Sequence, residues 1–128
     1  MRYLEHIKLY GTTDASGALT VQSTVNVLGE LVAVEWIDGT LADGVDAVLS
    51  CVRDNDAADV TLLTLTDANS DAWYYPYTPA QDNAGTAVTF DGTNEIYVRQ
   101  AVNGQLKLVV SSGGDTKVGG CIVYVRTS

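Results

Sequence analysis

Leu19, Val21, Ser23, Val25 and Val27 alternate with Thr20, Gln22, Thr24 and Asn26. A period of two puts the first set on one face of an extended strand and the second on the other. The pattern recurs along the chain. Leu31 to Ile37 is an apolar run closed by Asp38-Gly39, Val45 to Arg53 follows Asp43-Gly44, and Val60 to Thr66 alternates again. Ile96 to Val102 and Gln105 to Val110 flank Asn103-Gly104, which predicts a type I′ hairpin turn because both residues take positive φ at small cost. Val118 to Arg126 is the last run. No window carries a sustained i, i+3, i+4, i+7 stripe with caps. Val, Thr and Ile supply 17, 14 and 4 of the 128 residues, and their stiff branched side chains suit a pleated surface.

These runs predict about eight strands and an all-β fold: an antiparallel β-sandwich, jelly-roll-like, with turns between strands. Residues 1–17 read as an N-terminal arm or a first short strand, ending in the loop composition Gly11-Thr12-Thr13-Asp14-Ala15-Ser16-Gly17. Residues 18–128 read as a single β-sandwich domain. Asp67 to Asn94 is less regular, and Pro76 and Pro79 cannot donate to a central ladder, so an edge or an ordered loop is expected there.

Seven Lys+Arg face sixteen Asp+Glu, a formal charge of −9. Binding to phosphates or anionic lipids relies on clustered Lys and Arg, so neither a nucleic acid nor a membrane surface is an expected partner. The acidity suits solubility, or a partner with a basic surface. Twelve of the acids are Asp and four are Glu, which places them in turns rather than helices. Charges interrupt the first eight residues before an apolar secretory region forms, so synthesis and retention in the cytoplasm are expected. Cys51 and Cys121 each lie in an apolar run and read as small, reduced, buried hydrophobes.

Candidate chemistry is sparse. His6 is the single histidine, with no nucleophile elbow in the chain, and is expected on an exposed strand or arm. Asp54, Asp56 and Asp59 resemble the start of a calcium loop but lack the turn glycine and the distal bidentate Glu, which favours a solvated acidic loop. Gly113-Gly114 and Gly119-Gly120 read as turn and bulge glycines. No catalytic residue, metal ligand or cofactor site is assigned, and an enzyme is not expected. The candidate interface is Trp73-Tyr74-Tyr75-Pro76-Tyr77, with Trp73, Tyr74, Tyr75 and Tyr77 as its residues. Aromatic side chains of this kind bury large area while keeping a polar tip. As a strand, Trp73, Tyr75 and Tyr77 would fill a core or a subunit interface with Tyr74 outside; another binding surface and a sugar-stacking site are the alternatives.

Three segments carry a resemblance. Gly29-Glu30-Leu31-Val32-Ala33-Val34-Glu35-Trp36, the stretch Thr64 to Pro76 with its Trp-Tyr-Tyr-Pro, and Gly104 to Val110 followed by Gly113-Gly114-Asp115 resemble small proteins encoded near the capsid genes of tailed bacteriophages. The likeness spans residues 18–126. It implies a virion component, a capsid decoration or cement protein on the capsid surface. It also implies the major capsid protein as partner and a homo-oligomer, a trimer before a dimer. A head–tail joining or tail component, and a carbohydrate-binding module using Trp73 and its tyrosines, are the rival expectations.

Overall fold

The computed structural model describes residues 3–53 and 58–127, and none of them is helical. The strands are β1 (Tyr3–Thr12), β2 (Leu19–Gln22), β3 (Val27–Ile37), β4 (Asp46–Val52), β5 (Val60–Leu65), β6 (Ala72–Tyr74), β7 (Tyr77–Pro79), β8 (Tyr97–Arg99), β9 (Ala101–Ser111) and β10 (Val118–Thr127). Their pairing follows a long hairpin wrapped on itself. β1 pairs with β10, β2 with β9, β3 with β6 and β4 with β5, all antiparallel. β10 also pairs with β3, and β9 with β4. The outcome is two four-stranded layers, β1-β10-β3-β6 and β2-β9-β4-β5, the jelly-roll form of an antiparallel sandwich. β7 and β8 form a separate small sheet, inserted between β6 and β9.

The inner faces bury Leu9, Leu31, Val34, Trp36, Leu49, Leu106, Leu108, Val110, Val123 and Val125 between the layers. Each such side chain contributes roughly 1.5–3 kcal/mol of transfer free energy. Trp36 is fully buried, and its Nε1–H donates to the Ala68 carbonyl at 3.0 Å, so its one polar atom is satisfied. Cys51 and Cys121 are buried and unbridged, on different layers. Burial pushes the Cys121 thiol up to about 12.

Several readings of the sequence change. Of the two readings of the N-terminal segment, arm or first short strand, the structure has the strand, and a longer one than expected. β1 is ten residues long and pairs with β10 from Tyr3↔Thr127 to Thr12↔Val118. Its pattern is amphipathic, with Leu9 in the core and Ile7 packed against it while His6 and Lys8 face solvent. β2 stops at Gln22. Ser23 turns inward to accept a bond from Leu106 N–H at 3.0 Å, and Val25 is left exposed. β3 runs unbroken through Leu28-Gly29-Glu30. A bulge opposite Tyr124/Val125 skips Val32, so the inward parity passes from Trp36 and Val34 to Leu31 and Val27. A second bulge skips Leu62 in β5, which lets both Leu62 and Leu65 be buried. Gly119-Gly120 lie in β10 with no register shift, close against the Leu41 side chain and the Leu9 backbone. Gly113-Gly114 lie in the β9–β10 connection, whose turn falls just after them at Asp115-Thr116.

Asn103-Gly104 is not a hairpin turn. β9 runs straight through it for eleven residues. Ala101 to Gly104 pair with β3 in one layer, while Gln105 to Ser111 pair with β4 in the other. Gly104 is thus the corner at which one strand changes layers. Its φ is +144°, and a Cβ there would run into the Val52 carbonyl oxygen. Gly104→Ala should therefore cost at least about 2 kcal/mol, by backbone strain plus overpacking. Urea unfolding monitored by circular dichroism measures this, and an unchanged midpoint contradicts the corner assignment.

Candidate interaction surface

The strand register gives the sandwich two unlike ends. The β1–β2, β3–β4, β5–β6 and β9–β10 connections gather at one end. That end is tied by hydrogen bonds. Buried Thr13 donates to the Gly114 carbonyl at 2.6 Å and accepts from Lys117 N–H at 2.8 Å. Asp38 N–H and Gly44 N–H donate to Asp71 Oδ1 and Asn69 Oδ1, both in the β5–β6 connection. Burial first, then the neighbouring Asp71 and Asp43 carboxylates, hold the Asp38 carboxyl above its ordinary value.

The other end carries a projecting β-arm. No residue of it, from Tyr75 to Gln100, is buried. The arm is held by backbone bonds rather than by a core. Ala80 N–H donates to the Ile96 carbonyl, Ile96 N–H to Val88, and Val88 N–H back to Ala80, a closed cycle at 2.7, 3.2 and 2.8 Å. Three extended segments thus meet at one point. Gln81 bridges to Ala87 and Thr89 to Glu95, which extends two short hairpins outward. Each hairpin tip is pinned by a carboxylate. Asp82 Oδ1 accepts from Ala84 and Thr86 N–H, and Asp91 Oδ1 accepts from Thr93 and Asn94 N–H. The Asp82 turn repeats the β1–β2 loop, where Asp14 Oδ1 accepts from Ser16 and Ala18 N–H.

The aromatic side chains follow from this architecture. Backbone pairing sets Trp36↔Ala72, Glu35↔Trp73 and Val34↔Tyr74. Tyr74 therefore packs against the core, while Trp73 points to the outer face of the layer. The expected parity is inverted: Trp73, Tyr75 and Tyr77 are 51%, 59% and 51% exposed, and it is Tyr74 that is inside. The physical reason is the partner strand, since Tyr74 shares the inward parity of Val34. Tyr97, Val98, Ile96 and Phe90 on the arm extend the exposed apolar surface.

Trp73 does not stand alone. Its ring stacks on Tyr124 of β10 at 5.3 Å and 27°, and Tyr124 in turn lies 6.4 Å from His6 on β1. Tyr124 donates to Glu35 Oε1 at 3.2 Å. Desolvation first, then that carboxylate, raises its phenol above the ordinary value. Tyr97 and Tyr124 are members of this surface that no local pattern in the sequence singles out; they join it through pairing with Pro79 and Ala33. His6 is exposed on β1. Of the acidic trio, Asp54 and Asp56 lie outside the described residues, and Asp59 holds Lys107 at 3.1 Å. Among the described residues, no three His, Cys, Asp or Glu side chains converge to hold a metal ion. An open groove of about 540 Å³ lies at the arm's base between Leu28, Glu30, Ala101, Asn103 and Arg126. Glu30 and Arg126 there are register partners across β3 and β10.

No protein-family model and no curated protein matches the chain.

Two measurements test this geometry. Acrylamide quenching should resolve a protected tryptophan, Trp36, and an accessible one, Trp73; Trp73→Phe should remove the accessible component alone. Backbone amides hold the Asp14 and Asp91 carboxyls below their ordinary value, through Ala18 and Asn94 first. A carboxylate with a lowered folded pKa stabilises its loop above the unfolded pKa, and that contribution is lost as pH falls through the folded pKa. Amide resonances of Ser16, Ala18, Thr93 and Asn94 should therefore move together only below the usual Asp range, and a midpoint at or above 4 contradicts the bonding described.

Proposed function

We propose that this chain is a structural virion protein of a tailed bacteriophage, a capsid decoration or cement protein that grips the assembled shell. One observation carries the reading: a rigid sandwich presents a projecting β-arm in which no residue from Tyr75 to Gln100 is buried, with Tyr75 and Tyr77 exposed on it and Trp73 exposed at its root. A jelly roll serves many functions, so the argument rests on the arm and not on the fold. Clamping a shell requires a scaffold that does not shear, and close-packed layers supply it. It also requires contact area outside the chain's own core, which the arm offers. The sequence resemblance supplies the phage context, with the major capsid protein as partner and the capsid surface of the virion as location. In this reading the chain acts as a homo-oligomer, a trimer before a dimer, so that several arms engage at once and modest contacts give slow release. It performs no catalysis and takes no cofactor, nucleic acid or membrane.

The exposed rings also suit a second reading, stacking on sugars, which a glycan array separates from the first. Within the phage reading, copy number per particle separates a cement protein, present in hundreds, from a head–tail joining or tail component. Purified chain mixed with assembled shells should co-sediment with them, and imaging should find it at repeated sites on the shell. Trp73→Ala combined with Tyr75→Ala should weaken that association about tenfold or more, as for aromatic anchors of interfaces. A monomer that ignores shells overturns the reading.

A further inference from the structure

We infer that the β-arm docks onto a basic, arginine-presenting protein surface. The inference rests on the reading of the arm as a docking element, and adds the chemistry of what it grips. The first observation is charge. Between Arg53 and Arg99 the chain contains no Lys, Arg or His, while Asp82, Asp91 and Glu95 all fall in the arm. The two hairpin tips each end on an exposed aspartate, Asp82 and Asp91, whose Oδ1 atoms are fixed by backbone amides. The tips are therefore rigid negative points and not wandering side chains.

The second observation is independent of charge. Exposed rings lie on the arm and at its root: Tyr75, Tyr77 and Tyr97, with Trp73 on the adjoining β6, are each at least half exposed. Ring faces attract cations, arginine most often because its flat guanidinium also stacks. The chain shows this on its own surface. Arg99 Cζ sits 5.9 Å from the Tyr77 ring centroid, and Lys8 Nζ sits 4.8 Å from that of Tyr10. A surface of π faces set among fixed carboxylates is complementary to guanidinium groups. It repels phosphate backbones, anionic lipid and a second copy of the same acidic arm. A basic polypeptide surface is the occupant that meets both terms.

The full-length chain, labelled with ¹⁵N, is titrated with a nona-arginine peptide and with a nona-glutamate peptide. The expected result is shift changes centred on residues 73–99 with the first peptide and none with the second. Tyr75→Ala with Tyr77→Ala should weaken binding about fivefold or more, and Tyr75→Phe with Tyr77→Phe should restore it. Asp82→Asn with Asp91→Asn keeps the Oδ1 acceptors and should also weaken binding. Asp14→Asn with Asp115→Asn removes the same charge at the opposite end and should change it by less than about twofold, because screening confines the effect to nearby charges. Equal loss from both charge pairs, or no loss on removing the rings, overturns the inference. The two proposals fail separately. Peptide binding at the arm without shell binding sinks the capsid reading alone, and shell binding with no arginine preference sinks this one alone.

Discussion

A single strand that belongs to both layers holds this molecule together. β9 pairs with β3 through Ala101–Gly104, then with β2 and β4 through the rest of its length. The change of partner requires the chain to bend within hydrogen-bonding distance of a neighbouring backbone. At Gly104 that neighbour is the Val52 carbonyl, and the space for a side chain is already filled. With the corner in place, Val102 and Leu106 both point into the core although they lie in different layers. The same continuity fixes the arm. β8 ends at Arg99 and β9 begins at Ala101, so the arm's returning segment leads directly into the corner.

The sandwich and the arm are stabilised by different physics. Between the layers, large apolar side chains are removed from water, and area burial dominates. In the arm nothing is buried, and order comes from the backbone cycle at Ala80, Val88 and Ile96 and from the carboxylate-pinned tips. Net hydrogen-bond contributions of about 1 kcal/mol each, against the ordering entropy of each residue, leave such an element dependent on its base. Ring stacking of Trp73 on Tyr124 joins that base to β10. The exposed rings are a cost of this arrangement. In the proposed role, rings already held in place would lose less entropy on association.

The titratable groups of the described residues serve local structure. Its single histidine is exposed on β1 with a tyrosine ring for its near neighbour. The raised carboxyl of Asp38 sits in the tied loop end, next to other acids and among structural hydrogen bonds. Polar groups converge at that end to close loops.

Much of the fold was legible in the chain itself. Alternation located β2 and β5, and apolar runs between turn residues located β3, β4 and β10, because a strand buries one face or both. The same signal was present in His6-Ile7-Lys8-Leu9, where it marks β1, and it was masked by the density of charge around it. Local chemistry alone could not decide the rest. Asn103-Gly104 has the same preferences whether the chain reverses there or changes layers; the Val52 carbonyl decides it. Trp73 and Tyr74 are interchangeable as strand residues, and their opposite fates come from the register with Val34 and Glu35. The bulges at Val32 and Leu62 shift parity at points set by partner strands. That the chain is built of strands, where most of them lie, and that most of its aspartates sit in turns can be read from residue order. Which faces turn inward and which rings remain in solvent follows from strand pairing, because a side chain's direction in a sheet depends on its neighbour's backbone and not on its own identity.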